Sequence, residues 1–326
     1  MKIRIRADAS AQIGHGHVMR CLALAQALRE RGAEVVFHSR PLVGNAFAAI
    51  EQAGFAVQSL QREGVLPACD WLIVDHYGLE AQWERAQRGN AKSIFVIDDL
   101  AGRWHDCDLF LDQNLAAARR EASVPERCRQ LLGPRYALLR RAFAEARVQL
   151  APRSGKIERV LVCLGGGDPD NVTGQIVALI SAAFPQLVLD VVVGAASPHI
   201  DTLRQRWAHD PQVRLGVAVD TMAVWMRDAD FFIGASGSMS WERAVLSLPG
   251  IMLSLAENQR PIAQAIDAAG AGIDLGSAQD FQAARLLACM RELLATPDRV
   301  QAMSMQMGQL CDGDGAVRVA AAILDG

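Results

Sequence analysis

The loop at residues 8–20, with the sequence DASAQIGHGHVMR, carries the residues best suited to chemistry in the first half of the chain. It follows a predicted strand and leads into a predicted helix, and Gly14 and Gly16 let the backbone approach a ligand closely. His17 stands at the helix start, where unpaired N–H groups and the positive end of the helix dipole favour a neutral imidazole. A neutral imidazole accepts a proton near pH 7, so His17 is a candidate general base, although a plain cap-region residue would fit the same pattern.

A dinucleotide-binding loop is the first alternative for this segment. That fingerprint requires Gly-x-Gly-x-x-Gly and, about 20 residues later, an acidic residue at the end of the second strand. Here Met19 replaces the third glycine, and the second predicted strand ends at residues 37–40 with the sequence FHSR, which contains no acid. The sequence therefore predicts that no nicotinamide cofactor binds.

A metal-hydrolase site is the second alternative. His15 and His17 could supply two imidazole ligands after the first strand, and further ligands would have to come from later strand ends. Asp75, His76 and Asp98 stand at such positions. Because two β/α halves joined by a linker do not make an eightfold barrel, this interpretation is the weaker one, and the site is expected to hold no metal.

A second candidate site lies at residues 234–242, with the sequence GASGSMSWE, between a predicted strand and a predicted helix. Glycine and serine at a helix start present backbone N–H groups that bind an anion such as a pyrophosphate. One turn later, a glutamate can accept both hydroxyls of a ribose, although ordinary capping would also select serine and glutamate here. Five residues are expected to bind a nucleotide diphosphate: Ser236, Gly237, Ser238, Met239 and Glu242.

Two further segments of the second half follow predicted strands. Residues 164–171 read LGGGDPDN, and the glycines, Gly166 among them, permit close approach of a ligand, whereas the acidic part could equally cap a helix. Asn258 comes directly after another strand and could donate a hydrogen bond to a phosphate oxygen or cap the next helix. The carboxyl ends of parallel strands carry the site in such sheets, so both segments are candidates for substrate contact.

In the first half, Asp75, Tyr77 and Asp98 lie at the ends of two apolar strands. Either carboxylate could orient His17 or hold hydroxyl or acetamido groups of a sugar, and structural loop bonding is an equal alternative. Four other histidines have no partner in the sequence pattern and are interpreted as surface or packing residues: His38, His105, His199 and His209.

Short apolar strands alternate with helical patterns from end to end, which predicts an α/β fold with two Rossmann-like domains facing across a cleft. Buried runs such as VLDVVV at residues 188–193 are typical of a parallel sheet covered on both faces. Pro152 and Gly155 lie among polar residues at 151–156, which indicates a linker. The predicted domains are therefore residues 1–150, which carry the His17 loop, and residues 157–326, which carry the candidate site for a nucleotide diphosphate.

Composition narrows the class of protein. The chain has 326 residues, 51% of them apolar, and a formal net charge of only −3, so no electrostatic attraction to nucleic acid or to an anionic membrane is expected. No stretch of about 20 apolar residues could span a bilayer. The seven cysteines are widely spaced and form no Cys-x-x-Cys pair, which predicts reduced thiols and a soluble, cytoplasmic protein.

Together, these motifs resemble the PseG family, the UDP-2,4-diacetamido-2,4,6-trideoxy-β-L-altropyranose hydrolases of pseudaminic acid biosynthesis. The resemblance covers nearly the whole chain, in order. It is carried by RADAS at 6–10, IGHGHVMR at 13–20, IDDL at 97–100, CDLFLDQN at 107–114, GPRYALL at 133–139, GGGDPD at 165–170 and SGSMSWE at 236–242.

The resemblance implies a glycosyltransferase-B-type fold and a metal-independent hydrolysis that needs no cofactor. It implies that His17 is the general base and that Glu242 and Asn258 lie on the nucleotide side of the site. His15 departs from the family pattern, where a smaller or apolar residue is expected, and leaves open a second imidazole near the site.

The function expected from the sequence is hydrolysis of this UDP-linked diacetamido sugar by inverting C–O cleavage, with water as the acceptor. A monomer is expected, with neither nucleic acid nor membrane as a partner. A UDP-sugar glycosyltransferase of the same fold and a metal-dependent hydrolase are the alternatives.

Overall fold

The structure is a computed structural model that describes residues 1–10, 12–100, 102–115, 123–165 and 168–325. It divides into two compact units, the first formed by Met1–Arg141 and Gly313–Gly326 and the second by Ala142–Asp312. Each unit contains one parallel sheet, and helices connect many of its successive strands. The predicted α/β fold class with two Rossmann-like units is therefore confirmed.

In its described residues, the first unit has seven strands in the order β3-β2-β1-β4-β5-β6-β7, all parallel. The strands are β1 Lys2–Ala7, β2 Glu34–Ser39, β3 Ala56–Ser59, β4 Cys69–Asp75, β5 Ala91–Ile97, β6 Leu109–Asp112 and β7 Arg129–Leu132. The helices are α1 Gly16–Glu30, α2 Phe47–Gln52, α3 Ala81–Gln87 and, at the end of the chain, α12 Gly315–Leu324.

Strand β1 stands at the point where the strand order reverses. The chain adds β2 and β3 on one side of β1 and then crosses to add β4 on the other. In open parallel sheets, ligands bind outside the carboxyl ends of the strands at such a switch point. The register pairs Ala7 with Asp75, so the loops after β1 and β4 leave the sheet side by side.

Alternation along β1 explains how the sheet is covered. Ile3, Ile5 and Ala7 are fully buried in the core that includes α1 and α12, while Arg6 lies on the other face. Helix α1 ends before Gly32, which adopts a φ of 84° that L side chains rarely accept and whose N–H donates to the carbonyl of Arg29.

Helix α12 belongs to the first unit, although the predicted division assigned the end of the chain to the second domain. Val319 and Ala320 are fully buried in the first core. An apolar face of this kind must be covered, and contact with α1 covers it. Proximity along the sequence could not show this, because the contact spans almost the entire chain.

This packing predicts a stability effect. Ile323 is 1% exposed on α12, so Ile323→Ala should lower the free energy of unfolding by about 2–5 kcal/mol. Val317, on the same helix, is 57% exposed, and Val317→Ala should change it by about 0.5 kcal/mol or less. Urea unfolding of both variants checks the pair, and equal midpoints would contradict the placement of α12 in this core.

The part of the second unit that the structure describes has six parallel strands in the order β10-β9-β8-β11-β12-β13, with a second switch point between β8 and β11. The strands are β8 Arg159–Cys163, β9 Val188–Val193, β10 Val213–Val217, β11 Phe231–Ala235, β12 Gly250–Ser254 and β13 Ile273–Ser277. The helices are α4 Arg141–Val148, α5 Val172–Ala183, α6 Ile200–Trp207, α7 Met222–Asp228, α8 Met239–Val245, α9 Arg260–Ala268, α10 Ala283–Ala295 and α11 Pro297–Leu310.

The predicted linker is packed onto the second unit, which moves the boundary from 150 to 141. Arg147 donates to the carbonyl of Val245 at 2.7 Å, and Arg153 donates to that of Leu246 at 3.0 Å. These carbonyls end α8, where cationic side chains stabilise the exposed acceptors. A Cβ on Gly155 would lie 2.1 Å from the carbonyl oxygen of Pro297, so this glycine permits a close approach to α11 and not merely a turn.

In the part of the chain that the structure describes, no helix combines the length and the apolar character that crossing a membrane requires.

Candidate active site

His17 lies in the first turn of α1 and contacts the end of β4. Its Nδ1 is 2.5 Å from Oδ1 of Asp75, the last residue of that strand. Asp75 is fully buried, and His17 is 8% exposed. Of the two carboxylates that could orient His17, the structure therefore places Asp75 against it.

Arg20, one turn further along α1, holds the same carboxylate. Its Nε is 2.6 Å from Oδ2 of Asp75, and a terminal nitrogen is 2.6 Å from Oδ1. Burial alone would raise the pKa of Asp75, but Arg20 and His17 outweigh it and hold this pKa well below its usual range. Asp75 is therefore an anion that can only accept hydrogen bonds. Arg20 was not among the predicted site residues, although it closes the quoted loop.

This arrangement assigns the two ring nitrogens of His17. Because ionised Asp75 has no proton to donate, Nδ1 of His17 must carry the hydrogen that the two atoms share. The neutral ring then has its lone pair on Nε2, the atom turned away from Asp75. A histidine whose tautomer is fixed by a carboxylate is the arrangement that general-base catalysis uses.

Tyr77 and Asp99 complete the surroundings of His17. The ring of Tyr77 packs edge-on against the imidazole, with centroids 4.5 Å apart at 84°. Its hydroxyl donates to Oδ1 of Asp99 at 2.6 Å, and burial together with this carboxylate raises the pKa of Tyr77 well above its usual value. Arg20 also lies 3.4 Å from Asp99. Of the pair in IDDL, the sequence interpretation chose Asp98, whereas Asp99 faces this site.

The glycines of the first loop adopt conformations that fit a ligand-facing turn. Gly14 has a φ of 78°, and its N–H donates to the carbonyl of Ser10 at 2.8 Å. A Cβ on Gly16 would meet no atom within 4 Å, so the space beside it is open. His15 is exposed and its Nε2 lies 3.0 Å from the carbonyl of Gly44, so this imidazole is engaged by the loop after β2.

The residues named for a metal site do not combine into one. His15 bonds Gly44, His17 and Asp75 bond each other, and Asp98 bonds His105 at 2.8 Å. Arg20 already binds the carboxylate of Asp75, which a metal ion at this position would need as a ligand.

A different group of three possible ligands, Asp8, Glu63 and His76, gathers after β1 and β4. Two guanidinium groups already bind its carboxylates, since Arg6 and Arg40 donate to Asp8 at 2.5 and 2.6 Å. Nδ1 of His76 accepts the N–H of Gly78 at 2.9 Å, so Nε2 carries the hydrogen and donates to Asp8 at 3.1 Å. Both ring nitrogens are thus engaged, and this donor set does not fit a metal ion.

Asp98 serves a different network from the one around His17. It is 2% exposed and accepts hydrogen bonds from Arg103 and from the N–H of Leu100. It also bonds His105. The sequence pattern showed no partner for His105 and left it as a surface or packing residue, whereas the structure buries it at 2% exposure with Asp98 as a partner. No sequence signal marked His105, because its partner Glu84 lies 21 positions away.

In the second unit, the Asp-Pro-Asp-Asn segment caps α5. Asp168 is buried, and its two carboxylate oxygens accept the N–H groups of Val172 and Thr173, both at 2.8 Å. Asn171 accepts that of Gly174 at 3.1 Å. These bonds occupy the helix start, so α5 offers no free amides to an anion. Gly166 was expected to contact substrate and lies outside the described residues.

The segment at the start of α8 is built differently. Ser236 is fully buried, and its hydroxyl lies within hydrogen-bond distance of Ser254, which engages it inside the unit. Ser238 is exposed and makes no side-chain cap hydrogen bond, and Gly237 and Met239 beside it are half-buried. Glu242 is half-buried in the first turn of α8. The backbone from Gly237 to Met239 is thus the accessible part of the predicted anion site.

Asn258 lies in the short 3₁₀ turn Glu257–Gln259 that follows β12, and its side chain is exposed. The next residue, Gln259, approaches Gly237, because a Cβ on that glycine would lie 3.5 Å from the Gln259 amide. The turns after β11 and β12 are therefore neighbours at the carboxyl edge of the second sheet, beside the second switch point.

Comparisons with known proteins bear on this fold and sequence. No family model matches the chain. The chain is 26% identical to the spore coat polysaccharide biosynthesis protein SpsG of Bacillus subtilis, over 100% of this chain and 98% of the relative. It is also 26% identical to the UDP-2,4-diacetamido-2,4,6-trideoxy-β-L-altropyranose hydrolase of Campylobacter jejuni, over 81% of this chain and 95% of the relative.

Solved structures show the fold. MurG of Acinetobacter baumannii superposes with a TM-score of 0.70 at 12% identity, covering 100% of this chain and 99% of that one. The spinosyn rhamnosyltransferase SpnG superposes with a TM-score of 0.65 at 15% identity, covering 98% and 99%. The motifs indicated a resemblance to the UDP-2,4-diacetamido-2,4,6-trideoxy-β-L-altropyranose hydrolases, and the comparisons support this resemblance at the level of the family.

Proposed function

We propose that this protein is a UDP-sugar-processing enzyme, and specifically that it hydrolyses UDP-2,4-diacetamido-2,4,6-trideoxy-β-L-altropyranose to UDP and the free sugar. The similarity to the hydrolase of Campylobacter jejuni supports the substrate class. The observation that carries the proposal is the hydrogen bond between Nδ1 of His17 and buried Asp75, since it leaves Nε2 as a base of defined tautomer.

The reaction needs one proton acceptor and one leaving group. In the proposed step, Nε2 of His17 takes a proton from water while the water oxygen bonds the anomeric carbon. The bond from that carbon to the diphosphate oxygen breaks, its electron pair leaves with UDP, and attack from the opposite face inverts the anomeric centre. Imidazolium at His17 is stabilised by ionised Asp75 and later returns the proton to solvent.

The second unit is proposed to hold the nucleotide. Amides from Gly237 to Met239 would bind the diphosphate, and developing negative charge on a leaving diphosphate is what such preorganised N–H groups stabilise. The contrast between the two helix starts supports this choice, since Asp168 caps α5 whereas the Ser238 side chain makes no cap hydrogen bond at α8. Asn258 would donate to a phosphate oxygen from the neighbouring turn. On the first unit, Gly14, Gly16 and Tyr77 would line the sugar.

A change at Glu242 should act on nucleotide binding and not on proton transfer. Losing a charged hydrogen bond to a ribose typically costs about 1.5–3 kcal/mol, so Glu242→Ala should weaken UDP binding by about ten- to a hundredfold. Glu257→Ala is the matched control, because that glutamate is exposed on the turn after β12. Calorimetry giving equal UDP affinities for both variants would remove Glu242 from the nucleotide site.

The proposed function is tested by incubating the protein with the UDP-sugar alone and following products by NMR. A hydrolase releases UDP and free sugar without an acceptor, and the first-formed sugar has the inverted anomeric configuration. A glycosyltransferase of the same fold would release neither in quantity until an acceptor is added. The same assay with EDTA addresses the metal alternative, because activity lost to the chelator and restored by a divalent cation would contradict the proposed mechanism.

A further inference from the structure

His105 forms a buried bridge between two carboxylates. Its Nδ1 is 2.7 Å from Oε1 of Glu84 on α3, and its Nε2 is 2.8 Å from Oδ2 of Asp98 at the end of β5. All three residues are at most 2% exposed. The other oxygen of Glu84 accepts the N–H of Asp106 at 2.6 Å, so the glutamate is held in place on both sides.

Both ring nitrogens face acceptors, which requires a charged ring. A neutral imidazole has one hydrogen and would set a lone pair against one of the carboxylates, whereas imidazolium donates to both. Burial lowers the pKa of His105, but the hydrogen bonds to Asp98 and Glu84 outweigh it and raise this pKa to about 9. Arg103, which donates to Asp98 at 2.8 Å, and the Cys128 thiol also lie near this bridge.

The bridge is one peptide bond away from the surroundings of His17. Asp98 is followed directly by Asp99, which accepts the Tyr77 hydroxyl at 2.6 Å and lies 3.4 Å from Arg20. Tyr77 packs against the His17 ring, and Arg20 holds Asp75. A shift of Asp98 would therefore move the carboxylate of Asp99, which contacts the two neighbours of His17, Tyr77 and Arg20.

We propose that His105 is a positioning residue for the His17 site: as an imidazolium tied to Glu84 on α3, it anchors Asp98, and through the backbone it fixes Asp99 against Tyr77 and Arg20. The inference goes one step beyond the proposed function and relies on it only for the activity measurement. His105 touches none of the groups assigned to the substrate, so its effect must pass through Asp99 and the two residues that Asp99 contacts, Tyr77 and Arg20.

The test compares His105→Gln with His209→Gln, since His209 is exposed in the second unit. Glutamine keeps one donor but loses the charge and the second bond. We expect kcat for UDP release to fall by about tenfold or more in His105→Gln, with UDP affinity unchanged and with His209→Gln at the wild-type value. An unchanged kcat in folded His105→Gln would overturn the inference.

A spectroscopic measurement separates this inference from the proposed function. In protein labelled with ¹⁵N at histidine, the His105 resonances should report a doubly protonated ring at pH 7.5, and the His17 resonances should shift in His105→Gln but not in His209→Gln. His17 signals that are identical in all three proteins would overturn the inference, even if the enzyme is active. A shift of the His17 signals in a protein without hydrolase activity would support it and contradict only the proposed function.

Glu84→Gln provides a second route if His105→Gln does not fold. It keeps the shape of the side chain and removes one of the two charges that hold the imidazolium, so the pKa of His105 should fall from about 9. A His105 titration that is the same in Glu84→Gln and in the wild type would overturn the bridge.

The charge of His105 also predicts the direction in which the stability of the folded protein changes with pH. Its pKa is higher in the folded chain, about 9, than the ordinary value near 6.5, so its stabilising effect is complete below about pH 6.5 and is lost as pH rises through 9. The melting temperature of the wild type should therefore fall more between pH 7 and 10 than that of His105→Gln. Parallel curves would contradict a charged His105.

Discussion

His17→Ala is expected to lower kcat for UDP-sugar hydrolysis by about 10²–10⁴-fold, which is the usual contribution of a positioned general base. The reason is geometric. Ionised Asp75 fixes the hydrogen of the ring on Nδ1 and leaves Nε2 to receive the proton of water. Alanine removes that acceptor but leaves the second unit untouched, so UDP affinity measured by calorimetry should stay at the wild-type value.

His15→Ala is the matched control for this variant, because it removes an imidazole from the same loop. His15 is exposed and its ring contacts the carbonyl of Gly44. We expect kcat of His15→Ala to stay within a few-fold of the wild type. A large loss in His15→Ala together with near-normal turnover in His17→Ala would reverse the assignment of the base.

The sheets were largely predictable because their central strands have a signature that does not depend on context. Residues 160–163 and 191–193 are buried on both faces, and a continuous apolar run is what such burial selects. Strands β3 and β7 lack this signature. They lie at the two edges of the first sheet, and of β7 only Leu131 is buried, so their sequences AVQS and RQLL contain no such run.

The candidate site was predictable only where its residues are local in sequence. The glycines around His17 stand in one loop, and Asp75 ends a strand, so both could be named in advance. That Asp75 and not Asp98 meets His17 depends on the register between β1 and β4, which pairs Ala7 with Asp75. The two neighbouring carboxylates in IDDL also have different partners, since Asp98 bonds His105 and Asp99 bonds Tyr77. Distances of this kind exist only after folding.

Buried charge is the feature that sequence patterns conveyed least. Arg20 is 9% exposed and lies on the apolar face of α1, where the periodicity alone would place a hydrophobic residue. It is tolerated because Asp75 supplies two charged hydrogen bonds. A buried cation thus marks a position where the helix face serves the site and not only the core.

Asp75→Asn tests this arrangement and should have the second large effect on turnover. The amide of asparagine can present N–H to His17, which would favour the ring tautomer with hydrogen on Nε2, the nitrogen that must accept a proton. Replacement of the orienting aspartate by asparagine in a comparable triad lowers kcat by about 10⁴-fold, and we expect a loss of about 10²–10⁴-fold here. Asp70→Asn is the control, since it changes an aspartate on the same strand that pairs with exposed Lys92.

The double variant decides whether Asp75 acts through His17. Asp75→Asn also takes the Asp75 carboxylate away from the Arg20 guanidinium, so some loss of stability is expected. Urea unfolding should therefore show that each variant is folded before its turnover is compared. If Asp75 serves only to set the tautomer of His17, the variant that combines His17→Ala and Asp75→Asn should be no slower than His17→Ala alone. If the fold losses in kcat of the two single variants multiply in the double variant, Asp75 contributes independently of the imidazole. Two residues that act as one unit would not give multiplied losses.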